Sequence, residues 1–169
     1  MFQNCTDLIS LFLTNIDTSS ATSMDRMFEG CSALPDLNLI YLDTSNVESM
    51  EEMFHFARNL FNITLTGMDL RKLKIMAYAF KNCYSLQTID FTGIYQSDLN
   101  SLVNVKGLFD GCKALTSLNV SAIDTSSTIS LQEFCLHIAE IVSTSATKPS
   151  ATNSETINTQ PKSDLYKIL

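Results

Sequence analysis

Apolar positions along the chain fall into one compound pattern that returns five times. One half of it is a ladder: Leu8, Leu11, Leu13 and Ile16, then Leu34, Leu37, Leu39 and Leu42, then Leu60, Ile63, Leu65 and Met68. It continues as Leu86, Ile89, Phe91 and Ile94, and as Leu115, Leu118, Val120 and Ile123. The alternation within each copy predicts a short strand whose apolar members face inward. Stacked copies then pair as a parallel sheet, with strands about 4.8 Å apart. The other half has a different spacing. Ala21, Met24, Met27, Phe28 and Cys31 are followed by Val47, Met50, Met53, Phe54 and Ala57, by Leu73, Met76, Ala79, Phe80 and Cys83, and by Leu102, Val105, Leu108, Phe109 and Cys112. Apolar residues three and four apart predict one helical stripe per copy. Ser45, with Glu48 three residues later, reads as a capping box for the helix leading into Phe54.

Phenylalanine sets the frame, recurring at Phe2, Phe28, Phe54, Phe80 and Phe109, spaced by 26, 26, 26 and 29 residues. Four copies carry Phe-x-x-Cys-x-x-Leu, and the third has Ala57 in place of the Cys. Self-similarity at this period predicts stacked units, each too small to bury its own flanks. Leu-x-x-Leu-x-Leu is the mark of a leucine-rich repeat. The expected fold class is therefore an α/β repeat: a leucine-rich-repeat solenoid with a parallel β-sheet on one face and short helices on the other. Residues 1–142 form the expected solenoid of five repeats, closed by a capping helix over Leu131 to Ile141. Residues 143–169, rich in Ser, Thr, Asn and Pro, form the expected disordered polar tail. Three extra residues, Tyr95 to Ser97, predict a bulging turn in the fourth copy.

With these motifs in view, the chain resembles the BspA-type leucine-rich repeats of surface proteins from host-associated bacteria and some parasitic protists. The likeness lies in Met-Phe-x-x-Cys-x-x-Leu-x-x-Leu-x-Leu followed by Asp-Thr-Ser, as at Asp17 to Ser19, Asp43 to Ser45 and Asp124 to Ser126. Asp69 and Asp98 keep only the Asp. The resemblance covers about residues 1–130 and implies adhesion or recognition of a protein or glycan ligand at a cell surface, without catalysis. It does not name the ligand.

Composition narrows the alternatives. The chain has 169 residues, 45% of them apolar, and a net charge of −7. Its eleven Lys and Arg are scattered, which argues against nucleic-acid binding. No apolar run is long enough to span a membrane. No export signal precedes the first repeat, so a fragment of a longer product is expected; an intracellular repeat scaffold for protein–protein interaction is the alternative. The uncapped first unit predicts self-association through the amino-terminal flank.

No constellation of catalytic residues stands out, and neither enzyme activity nor a cofactor is expected. His55 and His137 lie in unrelated copies with no Ser, Cys or Asp at catalytic spacing. Cys5, Cys31, Cys83 and Cys112 share one column, but no Cys-x-x-Cys occurs, so reduced core thiols are expected rather than a metal site or disulfides. The candidate ligand-binding residues are the outward positions across the sheet: Phe12, Asn38, Thr64, Asp90 and Asn119. They are flanked by Ser10, Asp36, Asn62, Thr88 and Ser117 on one side and by Thr14, Ile40, Thr66, Thr92 and Ser121 on the other.

Overall fold

A computed structural model describes residues 1–90, 93–94, 99, 101–115 and 117–118. Four short strands form one parallel sheet in chain order: β1 (Asp36–Asn38), β2 (Asn62–Thr64), β3 (Thr88–Asp90) and β4 (Ser117–Leu118). The register follows the repeat, with Leu37 opposite Ile63, Ile63 opposite Ile89, and Ile89 opposite Leu118. Leu37, Ile63 and Ile89 are buried, whereas Asp36, Asn38, Asn62, Thr64 and Thr88 are exposed. The inward and outward assignment of the strand residues therefore holds where the structure describes them.

The sheet starts at the second copy, not the first. Leu13 is buried as expected, but residues 11–13 form no strand. Proline explains the gap. The N–H of Phe61 donates to Pro35 O at 2.8 Å, and that of Gln87 to Phe61 O at 2.9 Å, each just before a strand. The equivalent bond from the second copy to Ile9 cannot form, because Pro35 has no N–H.

The expected helices are absent among the described residues, and in their place each copy runs through consecutive tight turns. The N–H groups of Met24, Arg26, Phe28 and Gly30 donate to the carbonyls of Ser49, Glu51, Met53 and His55 in the next copy. The intervening Met27, Glu29 and Cys31 donate three residues back, to Met24, Arg26 and Phe28. The third copy bonds to the fourth in the same way, through Met50, Glu52, Phe54 and Phe56 to Ile75, Ala77, Ala79 and Lys81. An α-helix closes i→i−4 bonds within itself; here every second N–H leaves the unit. Left-handed residues enforce the difference. Arg26, Glu52 and Tyr78 have φ of 56°, 56° and 58°, and Asn4, Phe56 and Asn82 have 60°, 59° and 62°. Such residues interrupt a right-handed helix.

Ser45 is accordingly no helix cap. Its N–H donates to Asp43 Oδ1 at 3.0 Å, as that of Ser19 does to Asp17 Oδ1. These are side-chain-closed turns, which gives the linker Asp its role. Beside them the hydroxyl of buried Thr18 donates to Asp43 O at 2.9 Å, and that of Thr44 accepts from Asp69 N at 2.8 Å.

The core is one continuous cluster from Leu13 to Leu115. Its spine is an unbroken stack of Phe2, Phe28, Phe54, Phe80 and Phe109, with centroid separations of 5.6, 5.4, 5.3 and 5.8 Å. These distances lie within the range for offset-stacked rings. The extra residues Tyr95 to Ser97, the capping helix over Leu131 to Ile141, and the tail from residue 143 lie outside the described residues.

Candidate recognition face

Strand pairing places Asn38 beside Thr64, and Thr64 beside Asp90, in one row across β1, β2 and β3. A second row runs Asp36, Asn62, Thr88 and Ser117. Asn38 Oδ1 accepts from Ile40 N at 3.0 Å, and Thr88 Oγ1 donates to Asn62 Oδ1 at 2.6 Å. The result is a short polar ladder fixed by the backbone and by neighbouring side chains. Phe12 is 83% exposed but belongs to no strand, so it does not continue the row by pairing. Ile40 and Tyr41, exposed just beyond β1, add apolar surface at its edge. Asn119, Thr92 and Ser121 lie outside the described residues.

The cysteine column is structural in geometry. Cys31, Cys83 and Cys112 are buried free thiols, donating to the carbonyls of Phe2, Phe54 and Phe80 in the preceding copy at 3.1, 3.0 and 3.0 Å. Burial pushes the Cys31 and Cys83 thiols up, and Cys112 to about 12. Cys5 departs from the expectation of a wholly buried column: it is exposed. Native alkylation should therefore modify Cys5 at least about a hundredfold faster than Cys83 or Cys112, because only exposed thiolate reacts. Mass spectrometry of a time course reads this out; equal rates would contradict the burial of the column.

The turn side carries a group of side chains that reading along the chain does not reveal. Glu29 and His55 occupy equivalent positions in adjacent copies, and Glu52 stands three residues before His55. Both imidazole nitrogens of His55 are buried without a hydrogen-bond partner, and its ring stacks on Phe56 at 4.2 Å. Burial lowers its pKa, opposed by the carboxylates of Glu52 and Glu29. Arg26 Nε pairs with Glu52 Oε2 at 2.7 Å, and Gln3 Nε2 donates to Glu29 Oε2 at 2.6 Å. An open cleft of about 330 Å³ adjoins this group, lined by Asn4, Thr6, Glu29, Ser32, Phe56 and Arg58 among others. Farther along the same side, Lys81 lies over the Tyr78 ring at 4.6 Å and Arg58 over Phe56 at 5.4 Å.

The family described as "Mycoplasma protein of unknown function, DUF285" matches residues 1–93, more than half of the chain. The chain belongs to this family. The DUF285 match takes in β1, β2 and β3, four of the five stacked phenylalanines, and the Glu29–His55 pair. No curated protein and no solved structure matches the sequence. Among the described residues, no helix is long and apolar enough to cross a membrane.

Proposed function

We propose that this chain is a non-enzymatic binding module of a surface protein, built as a leucine-rich-repeat solenoid of the BspA type and used for adhesion or for recognition of protein or glycan. One observation carries the reading: the polar row Asn38, Thr64 and Asp90 stands in register on adjacent strands above a continuous core. Amide, hydroxyl and carboxylate groups at strand spacing offer donors and acceptors to a sugar or an extended peptide, with little ordering left to supply on binding. Phe12, Ile40 and Tyr41 supply exposed apolar contacts near that row. Exposed Met1, Ile9 and Phe12 support a second contact, in which two copies meet through the amino-terminal flank.

The test is binding to a panel of immobilised glycans and extracellular proteins, compared between the native chain and the triple variant Asn38→Ala, Thr64→Ala, Asp90→Ala. The triple variant should lose at least about tenfold in affinity for any ligand found, with its melting temperature nearly unchanged. A ligand bound equally by both would place the site elsewhere.

A second reading, an intracellular scaffold of the same architecture, is favoured by the free thiols of Cys31, Cys83 and Cys112. Protease treatment of intact cells separates the two readings. The surface module is digested, and the scaffold survives.

A further inference from the structure

The geometry points to a divalent transition-metal site formed by Glu29, Glu52 and His55, bridging the second and third Phe-centred turns. One donor atom from each residue lies within 4.8 Å of the others. His55 Nδ1 and Glu29 Oε1 are 3.9 Å apart. That is too long for a hydrogen bond. Two donors each about 2.0–2.2 Å from one four-coordinate ion stand about 3.3–3.6 Å apart, so the Glu29–His55 pair would close by a few tenths of an ångström and the group as a whole by up to about 1.5 Å.

The histidine is the second indication. The His55 side chain is 14% exposed, but both ring nitrogens are buried without a hydrogen-bond partner, a desolvation cost that a core histidine ordinarily offsets by bonding a carbonyl or carboxylate. A bound cation would remove that penalty.

The surrounding groups fit the role of a supporting shell. Glu29 directs Oε2 to Gln3 and Glu52 directs Oε2 to Arg26, contacts that fix both carboxylates. Phe56 holds the imidazole plane. Arg26, 2.7 Å from Glu52 Oε2 and 3.9 Å from Glu29 Oε2, leaves the two carboxylates with one net negative charge to attract a cation. The cleft lined by Glu29 and Phe56 gives an entry path. The site forms once among the described copies, because the equivalents of Glu52 and His55 in the next copy are Tyr78 and Lys81. One imidazole with two carboxylates suits a borderline ion such as Zn²⁺ and leaves a fourth position for water.

Calorimetric titration of the chelator-treated full chain with ZnCl₂ tests the site, with Co²⁺ as a spectroscopic probe. Binding of one equivalent is expected, accompanied by a rise in melting temperature and by Co²⁺ ligand-field bands without a thiolate charge-transfer band. His55→Gln and, separately, Glu29→Gln should each weaken binding at least about tenfold, with circular dichroism showing both variants folded. Absence of saturable binding, equal affinity in both folded variants, or a thiolate band pointing to Cys5 would each overturn the assignment.

Discussion

Phe54→Ala should lower stability by about 3 to 5 kcal/mol, the range for truncating a large buried aromatic. Phe54 is 1% exposed and lies between Phe28 and Phe80, with centroids 5.4 and 5.3 Å away. Its removal leaves a cavity in the middle of the spine and breaks two ring contacts. The surrounding backbone cannot collapse far, because the Phe54 N–H and its neighbours are tied to the fourth copy. In stacked units each copy is stabilised by its neighbours, so a lesion at the centre weakens both halves. Thr64→Ala, on the exposed side of β2, should cost under about 0.5 kcal/mol. Chemical denaturation of both variants gives the comparison; equal losses would contradict the inside and outside assignment.

Gly30→Ala carries a sign that separates two backbones. In a helix, replacing an interior Gly by Ala stabilises by about 1 kcal/mol. Here Gly30 has φ of +70°, and an added Cβ would sit 2.5 Å from Asn4 Oδ1. Left-handed backbone costs a residue with a Cβ about 1–2 kcal/mol, and displacing Asn4 adds to it. A loss of at least about 1 kcal/mol is therefore expected. Thermal unfolding of the variant decides the sign, and a gain in stability would restore the helix.

Much of this arrangement is legible in the sequence. The spacing of Phe2, Phe28, Phe54 and Phe80 marks the stack, and the alternation around Leu37, Ile63 and Ile89 marks the strands and the side facing solvent. The helical pattern has a physical source other than a helix. Consecutive turns also bring positions three and four apart to one side, so Met24, Met27, Phe28 and Cys31 are buried as a helix would bury them. The turns are betrayed only by left-handed residues, and glycine marks just some of these. Arg26, Glu52, Phe56 and Tyr78 give no such sign.

The polar row across β1, β2 and β3 follows from the register that the repeat implies. The Glu29–His55 pair follows from the same column arithmetic, since the two residues are 26 apart. It is missed when His55 is read against its neighbours along the chain rather than across copies. Pro35 likewise shows its effect, the missing first strand, only once its partner in the preceding copy is known.

Each copy is held to the next by backbone bonds on its turn side as well as through the sheet. Nuclear magnetic resonance coupling across hydrogen bonds, on ¹⁵N,¹³C-labelled protein, reads those partners directly. The structure places Phe54 N–H on the carbonyl of Ala79 at 2.8 Å, and Phe28 N–H on that of Met53 at 2.9 Å. Couplings between Phe54 N and Ala79 C′, and between Phe28 N and Met53 C′, are the predicted result. Couplings from Phe54 N to Met50 C′ and from Phe28 N to Met24 C′, four residues back as in an α-helix, would contradict it.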